Sequence, residues 1–261
     1  MALFIIGIGG GSRDGMTQAA YEAISRVDVI AGYKTYTDLV APLFPQKEIY
    51  STGMMKEAER CRAALDMARA GKTVALVCSG DAGVYGMASL VYEIACGESL
   101  VPHVPHGSQS AQNESPVEIQ VIAGVTAALG GAALLGAPLS HDFCVISLSN
   151  LLTSQEVIEK RLRAAAQGDF CIALYNPKSK NRPDALKNAC HILMETLSPH
   201  TPCGWVRNVS RDGEESHVCT LAELAEAELD MFCTAFVGNS ATKILRINGT
   251  EKLVTPRGYQ P

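Results

Sequence analysis

No run of basic residues, no C-x-x-C pair and no long apolar stretch occurs in this sequence, and each absence excludes something. Lysine and arginine together number 22 against 27 acids, a formal net charge of −5. Phosphate-backbone binding relies on clustered Lys and Arg, so nucleic acid is not expected as a partner. The nine cysteines (61, 78, 96, 144, 171, 190, 203, 219 and 233) stand singly, most beside apolar residues, as in "DFCVIS" and "DFCIAL". Such thiols behave as small core residues. They predict reduced, buried side chains in the cytoplasm, with no metal or redox centre. No run approaches the ~20 apolar residues of a bilayer span. The opening "MALFIIGIGGG" lacks the basic flank and apolar length of a signal peptide. No membrane association is expected.

What is present is an alternation of short apolar, β-rich runs with helical stretches along 261 residues. "ALFIIGIG", "DVIAGY", "TVALVCSG" and "VEIQVIAG" read as strands. "MTQAAYEAISRV", "EAERCRAALDMARAG", roughly 84–96 and Thr126–Leu135 read as helices, Gly71 closing the second of them. The near-continuous apolar character of "TVALV" predicts a strand covered on both faces. Gly136 and Pro138 break the pattern, and a second series follows: "FCVISLS", "DFCIALYNP", "CGWVRNVS" and "FCTAFVG" as strands, with helices between them. Capping boxes are expected at Thr153/Glu156 and Thr220/Glu223. The expectation is two α/β domains, 1–138 and 139–261, the first with a mainly parallel sheet. Residues 103–116 form a polar segment read as an exposed loop; His103 and His106 there lack the third ligand a metal needs.

Open α/β sheets bind ligands beyond the carboxyl ends of their strands. Three glycine-rich turns stand at such ends: "GIGGGS" (7–12), "SGDAGVYG" (79–86) and "AGVTAA" (123–128). They do not spell a dinucleotide fingerprint, because Ser12 stands at the third glycine and Lys34, not an acid, follows "DVIAGY". Nor do they spell a P-loop, since Met16 stands where lysine is required.

Taken together these turns resemble the tetrapyrrole methylase family, which has G-x-G-P-G at the first strand, G-D-P further on and P-G-[VI]-[ST]-A later. This chain carries Gly7, Gly9 and Gly11, then Gly80 and Asp81, then Gly124, Val125, Thr126 and Ala127. The segments "LLGAPLSHDFCVISLSNLLTSQEVIEKRLRAAA", "DFCIALYNPKSKNR", "VRNVSRDGEE", "FVGNSAT" and "LVTPRGY" extend the likeness from about residue 3 to 259. They point to the branch of the family acting on carbon 17 of precorrin-3B or its cobalt form.

The resemblance implies two α/β domains with S-adenosylmethionine (SAM) in the cleft between them, a homodimer, a polycarboxylate tetrapyrrole as substrate, and methylation coupled to ring contraction. It places Gly9, Gly80, Asp81, Val84, Thr126, Ala127, Tyr175, Asn176, Val209 and Thr234 at the SAM site. Asp81 is read there either as a ligand and loop anchor or as the cap of a helix starting near Val84. Arg182, Arg207 and Arg211 are expected to meet substrate carboxylates. His141, followed by Asp142, is the expected acid–base residue of the contraction. A methylase of another precorrin carbon, an NAD-dependent oxidoreductase and a non-catalytic carrier are the alternative readings. Where the family usually has proline, this chain has Gly10, Ala82 and Ala123, which predicts softer loops. Restoring proline at all three, worth roughly 0.4–1 kcal/mol per compatible site, is expected to lower the Kd for SAM in a calorimetric titration; an unchanged Kd contradicts it.

Overall fold

The computed structural model describes residues 1–97 and 117–260, so the whole polar segment 103–116, with both of its histidines, lies outside the described residues. The chain divides into two compact units, Met1–Thr126 and Ala127–Pro261.

The first unit runs β1 (Ala2–Gly7), α1 (Gln18–Arg26), β2 (Val29–Tyr33), α2 (Lys34–Val40), β3 (Glu48–Thr52), α3 (Glu57–Arg69), β4 (Thr73–Cys78), α4 (Ala88–Cys96) and β5 (Glu118–Ile122). The five strands form one parallel sheet in the order β3-β2-β4-β1-β5. Alternate residues of β1 and β4 face opposite ways, and both faces are covered. Leu3, Ile5, Val74 and Leu76 pack with α3 and α4 residues, while Ile6, Ala75 and Val77 pack with Ala20 and Ile24 of α1. Burial on both faces is why these strands read as unbroken apolar runs. Thr17 caps α1, its hydroxyl accepting from the Ala20 N–H at 3.1 Å. Gly71, at φ +102°, follows α3 as expected of its residue type.

The second unit runs α5 (Ala127–Leu135), β6 (Gly136–Ala137), β7 (Phe143–Ser147), α6 (Gln155–Gln167), β8 (Cys171–Tyr175), α7 (Ala185–Met194), β9 (Pro202–Arg207), β10 (Glu215–Thr220), α8 (Leu221–Ala225), β11 (Cys233–Val237), β12 (Lys243–Ile247) and β13 (Thr250–Val254). Its main sheet, β10-β9-β11-β8-β7, is mixed: β7 and β8 are parallel, whereas β11 lies antiparallel to both β8 and β9. A second sheet orders β12-β13-β6. Helices α6, α7 and α8 cover one face of the main sheet, and α5 with Leu253 of β13 covers the other. The Thr220/Glu223 capping box forms. At α6 the expected box does not: Ser154 is the N-cap and makes no side-chain capping bond.

The boundary between the units falls before α5, not at 138/139. The reason lies in the small residues of α5. Ala128, Ala132 and Leu135 pack on Ala173, Val206 and Phe236. A Cβ on Gly131 would sit 2.6 Å from Val206 Cγ2 and 3.0 Å from Phe236 Cζ, so glycine sets how closely the helix lies on its sheet. Gly131→Ala would gain up to about 1 kcal/mol of helix propensity, but overpacking costs about 1–3 kcal/mol. Urea unfolding of this variant is expected to show net destabilisation; a stabilised protein would show that the helix has room to spare.

Candidate active site

The carboxyl ends of β1, β4 and β5, adjacent in the first sheet, bring the three glycine-rich turns together. Gly9 and Gly80 form an isolated antiparallel bridge, Gly9 N–H donating to Gly80 O at 3.0 Å and Gly80 N–H to Gly9 O at 2.8 Å. Gly9 has φ +56° and Gly80 φ +67°, which glycine adopts without strain. A Cβ on Gly7 would lie 2.6 Å from Gly80 O and 2.7 Å from Gly124 N, and one on Gly124 would overlap Gly7 and Gly80. These glycines therefore let backbone pack on backbone, turn against turn.

Asp81 locks the arrangement. Its Oδ1 accepts from the N–H groups of Gly83 (2.8 Å) and Val84 (3.2 Å), and its Oδ2 accepts from Gly124 N–H at 2.9 Å. One carboxylate thus shapes its own turn and holds the turn after β5. The helix cap is not its role, because α4 starts at Ala88. A further tie joins the Thr17 hydroxyl to Ala123 O at 3.1 Å. Beneath the turn, buried Arg60 donates to Thr52 Oγ1 (3.0 Å) and Gly53 O (3.1 Å) and approaches Met87 Sδ at 3.9 Å. Tyr85 stands in the same turn at φ +53° and is 57% exposed.

In the second unit, β7, β8 and β9 all point one way, since β11 is antiparallel to its neighbours. Their carboxyl ends and the start of β11 share one edge, carrying Ser147, Tyr175, Asn176, Val209, Arg211 and Thr234. Tyr175 Oη accepts from Ala128 N–H at 2.8 Å and so holds the first turn of α5. Asn176, at φ +55°, donates through Nδ2 to Ser147 Oγ at 2.9 Å. Val209 is half-buried against the α5 side of the sheet, and Thr234 is 4% exposed.

Two expected residues stand differently. His141 precedes β7, at the opposite edge of this sheet from Ser147 and Tyr175, on the order of 15 Å away at the rise of a strand. It is exposed, and its Nδ1 accepts from Asp142 N–H at 2.9 Å; it is a turn residue, not a member of the Tyr175–Asn176 group. Arg207 is already paired. It meets Glu215 (3.0 Å), Asp230 (3.3 Å) and Glu228 O (3.1 Å) and lies 5.4 Å from the Trp205 ring. It pins β9, β10 and the 228–230 turn, so its guanidinium is spent on structure. Among the described residues no three or more His, Cys, Asp or Glu side chains are grouped to hold a metal, and no helix is long and apolar enough to cross a membrane.

A parallel sheet whose strand ends interlock through glycine turns around one carboxylate is a small-molecule-binding α/β unit. The sequence pattern of the Tetrapyrrole (Corrin/Porphyrin) Methylases matches residues 2–225. The chain belongs to that family. It is 46% identical over 258 residues to the cobalt-factor III methyltransferase of Priestia megaterium, covering 99% of this chain and 45% of that one. It is 44% identical to a probable cobalt-factor III C(17)-methyltransferase of Salmonella typhimurium, covering 98% of this chain and 99% of that one. A precorrin-3B C(17)-methyltransferase of a Sinorhizobium species is 37% identical, at 98% and 96% coverage. Among solved structures, that of the methyltransferase CobJ superposes with a TM-score of 0.83 at 34% identity, covering 98% of this chain and 99% of that one.

Asp81→Asn keeps the shape but offers one acceptor oxygen instead of two, so one of the two turns loses its anchor. SAM affinity is expected to fall about tenfold or more, the equivalent of one charge-assisted hydrogen bond, with unit folding preserved by circular dichroism. Wild-type affinity would mean the anchor is dispensable.

Proposed function

We propose that this chain is a SAM-dependent methyltransferase acting at carbon 17 of cobalt-factor III, cobalt-precorrin-3 or precorrin-3B, with contraction of the macrocycle, in cobalamin biosynthesis. The observation that carries the reading is the end-to-end match to a relative named for carbon-17 methylation, 98% of one chain against 99% of the other. The cobalt-named relatives match at 46% and 44% against 37% for the precorrin-3B enzyme, which favours the cobalt-containing substrate. A cytoplasmic homodimer belongs to the same reading. Its nine free thiols, eight of them buried or half-buried, fit a reducing compartment.

The residues present suit SAM. When bound, SAM supplies an electrophilic methyl group on a sulfonium. Asp81 puts a negative charge at the strand ends of the first unit, and three of its roughly four acceptor sites are used, leaving one. Half-buried Val84 and exposed Val125 flank it as apolar surface. Gly9 and Gly80 hold the turns, with Thr126 and Ala127 next in the chain. From the second unit, Asn176 Oδ1 makes no hydrogen bond among the described residues and is open to a ligand donor. Thr234 and Val209 close the same edge. Arg182 and Arg211 carry the charge for substrate carboxylates. Methyl transfer asks mainly for alignment, which in well-oriented reactants contributes ~7–11 kcal/mol; rigid turns anchored by Asp81 serve that task.

Anaerobic incubation with methyl-labelled SAM and the cobalt-containing or metal-free trimethylated macrocycle tests the reading. One labelled methyl gained, with the visible spectrum of a contracted ring and preference for the cobalt form, is the expected result. Methylation at another carbon, or none by protein that binds SAM, contradicts it.

A further inference from the structure

Arg182, assigned above to substrate carboxylates, stands on the wall of a cavity inside the second unit. The backbone around it is preset, since Ser179 and Arg182 exchange N–H···O bonds at 3.0 and 3.3 Å and close a tight turn. One guanidinium nitrogen, Nη1, donates to Leu148 O at 2.7 Å and Asn176 O at 3.3 Å. Its Nε and Nη2 make no hydrogen bond among the described residues, and no acid pairs with the side chain. This contrasts with Arg163 and Arg207, each held by two acidic side chains. Burial alone draws the Arg182 guanidinium down from its ordinary range. Asp184 lines the same wall but forms no ion pair with Arg182 among the described residues.

The cavity holds about 200 Å³ and is lined on its polar side by Asn150, Gln155, Asp184 and Asn188 beside Arg182, over a floor that includes Leu148. That is below the ~300–1,000 Å³ of sites that enclose a whole drug-sized ligand, so it fits a short arm rather than a ring system. A half-buried cation with two free donors, amide side chains around it and no acid paired with it is a complement to a carboxylate.

We propose that this cavity is a carboxylate-binding subsite, with Arg182 as the bidentate donor and Asn150, Gln155 and Asn188 as flanking polar groups. The carboxylate has two sources under the reading above, on which this assignment of the occupant rests: an acid arm of the tetrapyrrole, or the methionine carboxylate of SAM. Arg182 has a second duty, joining the strand ends of β7 and β8 through Leu148 O and Asn176 O. Occupancy of the subsite therefore bears on the backbone that carries Asn176.

Calorimetric titration with uroporphyrin III, SAM and decarboxylated SAM, on wild type, Arg182→Met and Asn188→Trp, separates the sources. Asn188→Trp fills the cavity and leaves the contacts of Arg182 to Leu148 and Asn176 in place, so it serves if Arg182→Met fails to fold. A loss of about tenfold to a hundredfold for uroporphyrin III alone assigns an acid arm of the macrocycle. A similar loss for SAM, absent for decarboxylated SAM, assigns the methionine end. No variant-dependent loss for either carboxylate probe overturns the subsite. Carbon-17 turnover by wild type is the separate readout. Turnover with Arg182-independent binding overturns the subsite alone, whereas Arg182-dependent SAM binding without turnover overturns the functional reading alone.

Discussion

Three backbone N–H groups, from Gly83, Val84 and Gly124, end on the single carboxylate of Asp81. Two of them belong to the turn after β4 and one to the turn after β5, so the side chain fixes a relation between segments far apart in sequence. The glycines at 7, 80 and 124 make that relation sterically possible, because any Cβ on Gly7 or Gly124 would meet the opposing backbone. Neither device works without the other. A carboxylate could not bring the turns together past side chains, and bare glycine backbone alone carries no preference for one arrangement. The rigid edge that results is where the parallel sheet would receive its ligand.

The second unit reaches a comparable edge by another route. Inserting β11 antiparallel between β8 and β9 leaves β7, β8 and β9 pointing the same way. Their following turns then crowd one side, which is also where the left-handed residues Asn176, Asn208 and Ser210 are found. The arginines there divide by partner. Arg207 is consumed by Glu215 and Asp230, whereas Arg182 spends one nitrogen on two carbonyls and keeps the rest.

Much of this was legible in the residues. The first sheet's strands and helices follow from apolar runs and caps, and the three glycine turns follow from composition alone. What was not legible depends on packing. The α5 segment has the sequence of a helix but no mark of its allegiance to the second unit, which is set by Val206 and Phe236 beneath Gly131. His141 was read by residue type, and only strand direction shows it at the far edge. The β12–β13 hairpin went unread because every residue of β12 is exposed and no burial pattern marks it. Its one signal was the turn Asn248–Gly249, both at positive φ (52° and 80°), as a two-residue type I′ connection requires.

The central claim is that Asp81 couples the turn after β4 to the turn after β5. Native-state hydrogen exchange, followed at the amides of Gly83, Val84 and Gly124, addresses it directly. In wild type all three amides are predicted to be protected, and in Asp81→Ala all three are predicted to speed up together while β1 and β4 amides stay slow. If Gly124 keeps its protection when Gly83 and Val84 lose theirs, the turns are held by something other than this carboxylate, and the account of the site is wrong at its base.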